Sequence, residues 1–122
     1  MTNRRLVIVG AVLGCLSVVL GAFGAHAVKS RIGAEALSWW QTAVQYQMWH
    51  GLAVLGLGLS GLPWVRLPAW LLTAGAFVFA ATFYAMALGA PRWLGAVTPI
   101  GGLLMIAGWA AVALRAWRER DG

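Results

Sequence analysis

The charged residues of this chain fall at a few places, and four long stretches between them contain no Lys, Arg, Asp or Glu. Arg4 and Arg5 stand near the start, Lys29, Arg31 and Glu35 form a second group, and Arg66 and Arg92 stand alone. Arg115, Arg118, Glu119, Arg120 and Asp121 form the last group. Helices drawn on these stretches run approximately over 6–28, 39–62, 69–89 and 94–117. Each has about 20 residues or more, enough at 1.5 Å per residue to cross a hydrocarbon core of roughly 30 Å. Only 10% of the 122 residues are charged, whereas a water-exposed domain carries about 25%. The pattern predicts an all-α membrane protein, a four-transmembrane-helix bundle forming one domain over 1–122.

The tryptophans point to the same boundaries. Trp39, Trp40, Trp64, Trp70, Trp93 and Trp117 fall at expected helix ends, where indole rings favour the headgroup level; Trp49 and Trp109 are interior. Pro68 is placed to open the third helix. Ser38 followed by Gln41 fits a capping box for the second. Thr98 and Pro99 fit the N-cap and first residue of a shortened fourth helix, with Pro99 otherwise kinking it.

Four spans place both termini on one side. That side carries Arg4, Arg5, Arg66, Arg115, Arg118 and Arg120, against Lys29, Arg31 and Arg92 opposite, so the expected termini are cytoplasmic. The net charge of +6 therefore reads as membrane-flanking anchors rather than as a nucleic-acid face. Arg4-Arg5, an apolar run and Ala25-His26-Ala27 imitate a signal peptide, but the run is longer than an ordinary h-region and is read as a retained helix. The single Cys15 cannot form an intrachain disulfide and reads as a small hydrophobe.

Lipid gives helices no hydrophobic reason to associate, so close packing relies on small residues. Gly10, Gly14, Ser17, Gly21 and Gly24 recur every four or three residues and make one seam on the first helix. Gly51 and Gly58, and likewise Gly101 and Gly108, repeat at seven. Left-handed packing along small-residue seams is the expected arrangement.

Leu20-Gly21-Ala22-Phe23-Gly24-Ala25-His26, then Gln41-Thr42, Tyr46-Gln47 and His50, form one recognisable set. Thr98-Pro99-Ile100-Gly101-Gly102 and Ala107-Gly108-Trp109 form another. With these blocks the chain resembles, over nearly its whole length, the bacterial inner-membrane family known as domain of unknown function 423. The resemblance implies a small multi-pass protein of the inner membrane and implies no activity. Members often carry a Ser-Gly-Ser-like stretch before a tyrosine of the third helix. Here Ala80-Ala81-Thr82-Phe83-Tyr84 stands instead, which weakens any polar role there.

Polar groups inside a bilayer are expensive and are the first candidates for function. They are His26, Gln41, Gln45, Tyr46, Gln47 and His50, with Thr82, Tyr84 and Thr98 beside them. His50 lies near midplane while His26 lies near the end of the first helix, on the order of 10 Å apart in depth. That is too far for one metal or one bis-His haem, and no carboxylate lies within the spans, so no metal or cofactor is expected. Gln41 and Gln45 share a helical face, Tyr46 and His50 another, and Gln47 lies close to the His50 side. Antiparallel neighbours would bring His26 to the level of Gln41, Gln45 or Tyr46. The favoured role of this cluster is interhelical hydrogen bonding that fixes register; the sharper alternative is a hydrated path with His50 as proton acceptor. Ser17 and Ser60 lack a His-Asp pair, so no catalytic residue is assigned. The function expected is a structural or accessory subunit whose partners are the bilayer, itself or other membrane subunits. The alternatives are a small transporter or pore using the second helix, and a haem- or pigment-binding subunit with a single histidine ligand.

Overall fold

A computed structural model describes residues 2–119, so Arg120 and Asp121 of the last charged group lie outside the described residues. The first helix, α1 (Arg4–Phe23), runs on into a π-helical stretch, Gly24–Val28. α2 (Ala34–Ser60) follows, then a 3-10 turn over Pro63–Val65 leading into α3 (Arg66–Ala87). A second 3-10 stretch, Arg92–Ala96, precedes α4 (Thr98–Arg118). No strand occurs among the described residues. The continuous helical segments Arg4–Val28, Pro63–Ala87 and Arg92–Arg118 are long and apolar enough to cross a membrane. α2, though 27 residues long, is not among them, because Gln41, Gln45, Gln47 and His50 dilute its apolar run.

Several boundaries differ from the sequence expectation. α2 starts at Ala34 rather than 39, with Gly33 as an extended N-cap and Glu35 in its first turn, where a carboxylate complements the helix dipole. Ser38 is therefore already inside the helix and its hydroxyl donates to the Glu35 carbonyl at 2.7 Å. The capping box with Gln41 does not form. The same shift carries Trp40 inward: it is only 3% exposed and is no headgroup anchor. α4 does begin at Thr98 with Pro99 in its first turn. Val97 is the N-cap, however, and the Thr98 hydroxyl reaches back to the Leu94 carbonyl at 3.2 Å.

The helices pack in chain order, α1 on α2, α2 on α3 and α3 on α4, while α1 barely meets α3 and makes no extensive contact with α4. Two hairpins result, α1–α2 and α3–α4, joined through α2 and α3. Within each hairpin backbones approach closely. A methyl group on Gly10 would lie 2.5 Å from the Leu55 amide nitrogen, and one on Gly101 2.5 Å from that of Phe79. Between the hairpins the contact is made by side chains: Leu6, Val54, Val65, Ala69 and Leu72 at one end, Val28, Trp40 and Ala87 at the other. The connections fix the two ends. Asn3 donates its amide to Gly58 at 2.8 Å, and Arg115 bonds the Trp64 carbonyl at 3.3 Å, at the end holding Arg66. At the opposite end Arg92 pairs with Glu35 at 2.9 Å and covers the Trp39 ring at 5.6 Å.

Candidate functional site

The polar side chains of α2 divide by the face they occupy. Gln47 and His50, each 5% exposed, turn inward to different neighbours. Gln47 donates from Nε2 to the Leu13 carbonyl of α1 at 3.0 Å and accepts at Oε1 from the Tyr84 hydroxyl of α3 at 2.7 Å. One amide thus joins three helices. His50 faces α4, where the Trp109 indole N–H donates to Nε2 at 3.0 Å. An indole nitrogen can only donate, so Nε2 carries the lone pair and Nδ1 the proton, which goes to the Tyr46 carbonyl at 2.7 Å. Both ring nitrogens of a neutral His50 are engaged. Tyr46 stacks on His50 with planes 9° apart and packs on Phe79, centroids 4.6 Å apart.

Thr82 and Thr98 share a hydrogen bond of 2.7 Å between α3 and the start of α4. Among the described residues no buried side-chain nitrogen or oxygen lacks a partner. Buried polar groups removed from water need such partners, and Gln47, His50, Thr82 and Thr98 all have them.

The remaining candidates are elsewhere. His26, in the π-helical stretch, is exposed, as are Gln41 and Gln45; none makes a hydrogen bond to another side chain among the described residues. Gln41 and Gln45 border a notch of about 390 Å³ with Gly21, Gly24, Ala25 and Val44. His26 therefore does not join the α2 amides, and Gln47 and His50 separate, the first meeting α1 and α3 and the second α4. No group of three or more metal-ligating side chains occurs among the described residues.

The glycine-rich block preceding His26 has a local physical role. Trp40 lies against Gly24, where a methyl group would fall 2.5 Å from Nε1, and its indole donates to the Leu20 carbonyl at 2.8 Å. That carbonyl also receives the Gly24 amide, and the helix loosens into the π form at this point, with Lys29 N–H bonding Gly24 at 3.0 Å. Of the remaining seam residues, Ser17 is buried and bonds the Leu13 carbonyl at 2.8 Å. Gly21 faces Val44, Gly14 faces Met48 more loosely, and Gly108 faces Leu72. Two residues escaped the sequence reading. Gly75 meets Gly101 in backbone contact but has no partner at a spacing of seven. Trp109 is legible in the sequence as interior and as part of a family block but not as a partner of His50; its signal is an indole donor at the depth of a histidine acceptor.

These features define a multi-pass α-helical membrane protein whose buried polar groups cross-link its helices. The chain belongs to the family described as protein of unknown function (DUF423), whose profile matches residues 20–102, and the resemblance read from the sequence holds. It is similar to the UPF0382 membrane protein of Staphylococcus haemolyticus, 41% identical over 118 residues, covering 94% of this chain and 97% of that one. It is also similar to the UPF0382 inner membrane protein YgdD of Escherichia coli, 38% identical over 127 residues, covering 100% and 97%. No solved structure matches.

Proposed function

We propose that the protein is a non-enzymatic structural or accessory subunit of the bacterial inner membrane, with four spans and cytoplasmic termini, that docks a further transmembrane helix. The observation that carries this reading is the pair Gln41 and Gln45, exposed on one face of α2 beside the notch bordered by Gly21 of α1 and by Gly24 and Ala25 of the π-helical stretch. Gln45 lies eleven residues into α2, about 16 Å from its start, where lipid offers an amide nothing to bond. Small residues beside an amide are the usual means by which membrane helices recognise one another.

The reading of α2 as a fourth span is supported by its neighbours: it starts beside Arg92 and ends beside Asn3, at opposite ends of helices long and apolar enough to cross. A pore or haem role for His50 fits less well, because ligation or proton uptake at Nε2 first requires breaking the Trp109 bond. The test is the mass of the protein gently extracted from its own membranes. A homo- or hetero-oligomer should appear for the wild type and be lost in the Gln41→Leu, Gln45→Leu variant, which remains folded. A wild type released as a bare chain would count against the proposal.

A further inference from the structure

α1 and α3 start at the same end and run parallel, yet α2 holds them apart, and the gap between them is a groove open to the lipid. Its lower part, about 500 Å³, is lined by Ile8, Val12, Leu16, Trp70 and Phe77 among others. It continues past Leu16 and Phe77 into a cleft of about 180 Å³ that reaches Leu20, Gln47 and Tyr84. From Ile8 to Leu20 the groove rises about 18 Å, slightly more than one leaflet of a core roughly 30 Å thick.

At the end where α1 and α3 begin, Trp70 also borders a polar cavity of about 330 Å³ walled by Thr2, Asn3, Arg4, Arg5 and Arg66. Among the described residues none of these arginines has an acidic partner, and neither helix has an acidic residue in its first turn. Concentrated positive charge therefore stands at headgroup level, directly continuous with an apolar channel one leaflet deep. We infer that this groove binds one anionic phospholipid, its phosphate among Arg4, Arg5 and Arg66 and one acyl chain along α1 and α3. Trp70 sits at the junction, the level of the glycerol backbone, where indole rings are favoured. Charge selects this occupant over another helix: a partner helix fills the apolar channel but brings no reason for three arginines at its mouth. Basic pockets between spans are a recurrent way of holding acidic headgroups. The amide notch lies on a different face of the molecule, Gln45 and Gln47 being about 200° apart around α2, so either proposal can fail without the other.

The experiment is lipid titration of the detergent-solubilised full chain by native mass spectrometry, with phosphatidylglycerol and phosphatidylethanolamine of identical acyl chains. One phosphatidylglycerol should be retained selectively. Affinity should fall about fivefold for each of Arg4→Gln, Arg5→Gln and Arg66→Gln, and remain unchanged in Arg92→Gln, which removes the same charge at the other end. Ala74→Trp, an exposed position in the groove wall, should abolish retention with all arginines present, and thermal unfolding of each variant confirms its fold. Equal retention of both lipids, competition by free glycerol phosphate at the lipid's own affinity, or undiminished binding in the folded arginine variants would each overturn the assignment.

Discussion

Replacing Trp109 by Phe removes the indole N–H and leaves Nε2 of the buried His50 without a donor. Losing one partner of a buried pair costs about 1 kcal/mol or more, although hydrogen bonds within membranes average nearer 0.6 kcal/mol. Trp109→Phe should therefore lower the unfolding free energy in micelles by about 1 kcal/mol. Trp49→Phe should change it far less, because the Trp49 indole makes no side-chain hydrogen bond and only packs on Tyr46 at 5.3 Å. At this scale the sequence exposed which residues needed partners and not what the partners were. Gln41, Gln45 and Gln47 have the same chemistry and differ in depth along α2 and in angle around it. Which position meets another helix depends on where Leu13 and Tyr84 come to rest: the Leu13 carbonyl carries no signal of its own, and Tyr84, though a polar candidate, does not name its partner.

At the scale of the helix, the seam of α1 is not uniform. Gly10 touches backbone, Gly51 carbonyl oxygen included, whereas Gly14 has only the Met48 sulfur, 3.9 Å from where a methyl group would lie. A thioether can move aside and a helix backbone cannot. Gly10→Ala should therefore destabilise by about 1–3 kcal/mol, and Gly14→Ala by less than about 0.5 kcal/mol, read from thermal unfolding in detergent. The four-and-three spacing was legible because it repeats. Gly75 was not, since a single glycine in an apolar helix has no period to reveal it. The start of α2 was misplaced for a related reason: Trp39 and Trp40 imitate an interfacial belt, yet one lies under Arg92 and the other is drawn inward by the Leu20 carbonyl.

For the molecule as a whole, hydropathy made the three apolar spans plain, while the open flank between α1 and α3 had no counterpart in the sequence. Small-residue periodicity says that helices approach and leaves unsaid which pairs do so. The two hairpins, each closed by backbone contact, also bear on how the chain enters a bilayer as it is made. α2 carries Gln41, Gln45, Gln47 and His50 on an apolar run too dilute to qualify as a span by itself, and it follows a helix that does qualify. Polar side chains near the middle of a segment lower its tendency to pass from the translocating machinery into lipid. Fused alone between reporter domains, α2 should insert poorly; preceded by α1 it should insert well, and Gly10→Leu in the paired fusion should reduce that gain. Insertion independent of α1 would separate membrane entry from packing. On the expected result the carbonyl of Leu13 and the glycines facing α2 act before folding is complete, as a chaperone encoded one helix upstream of its client.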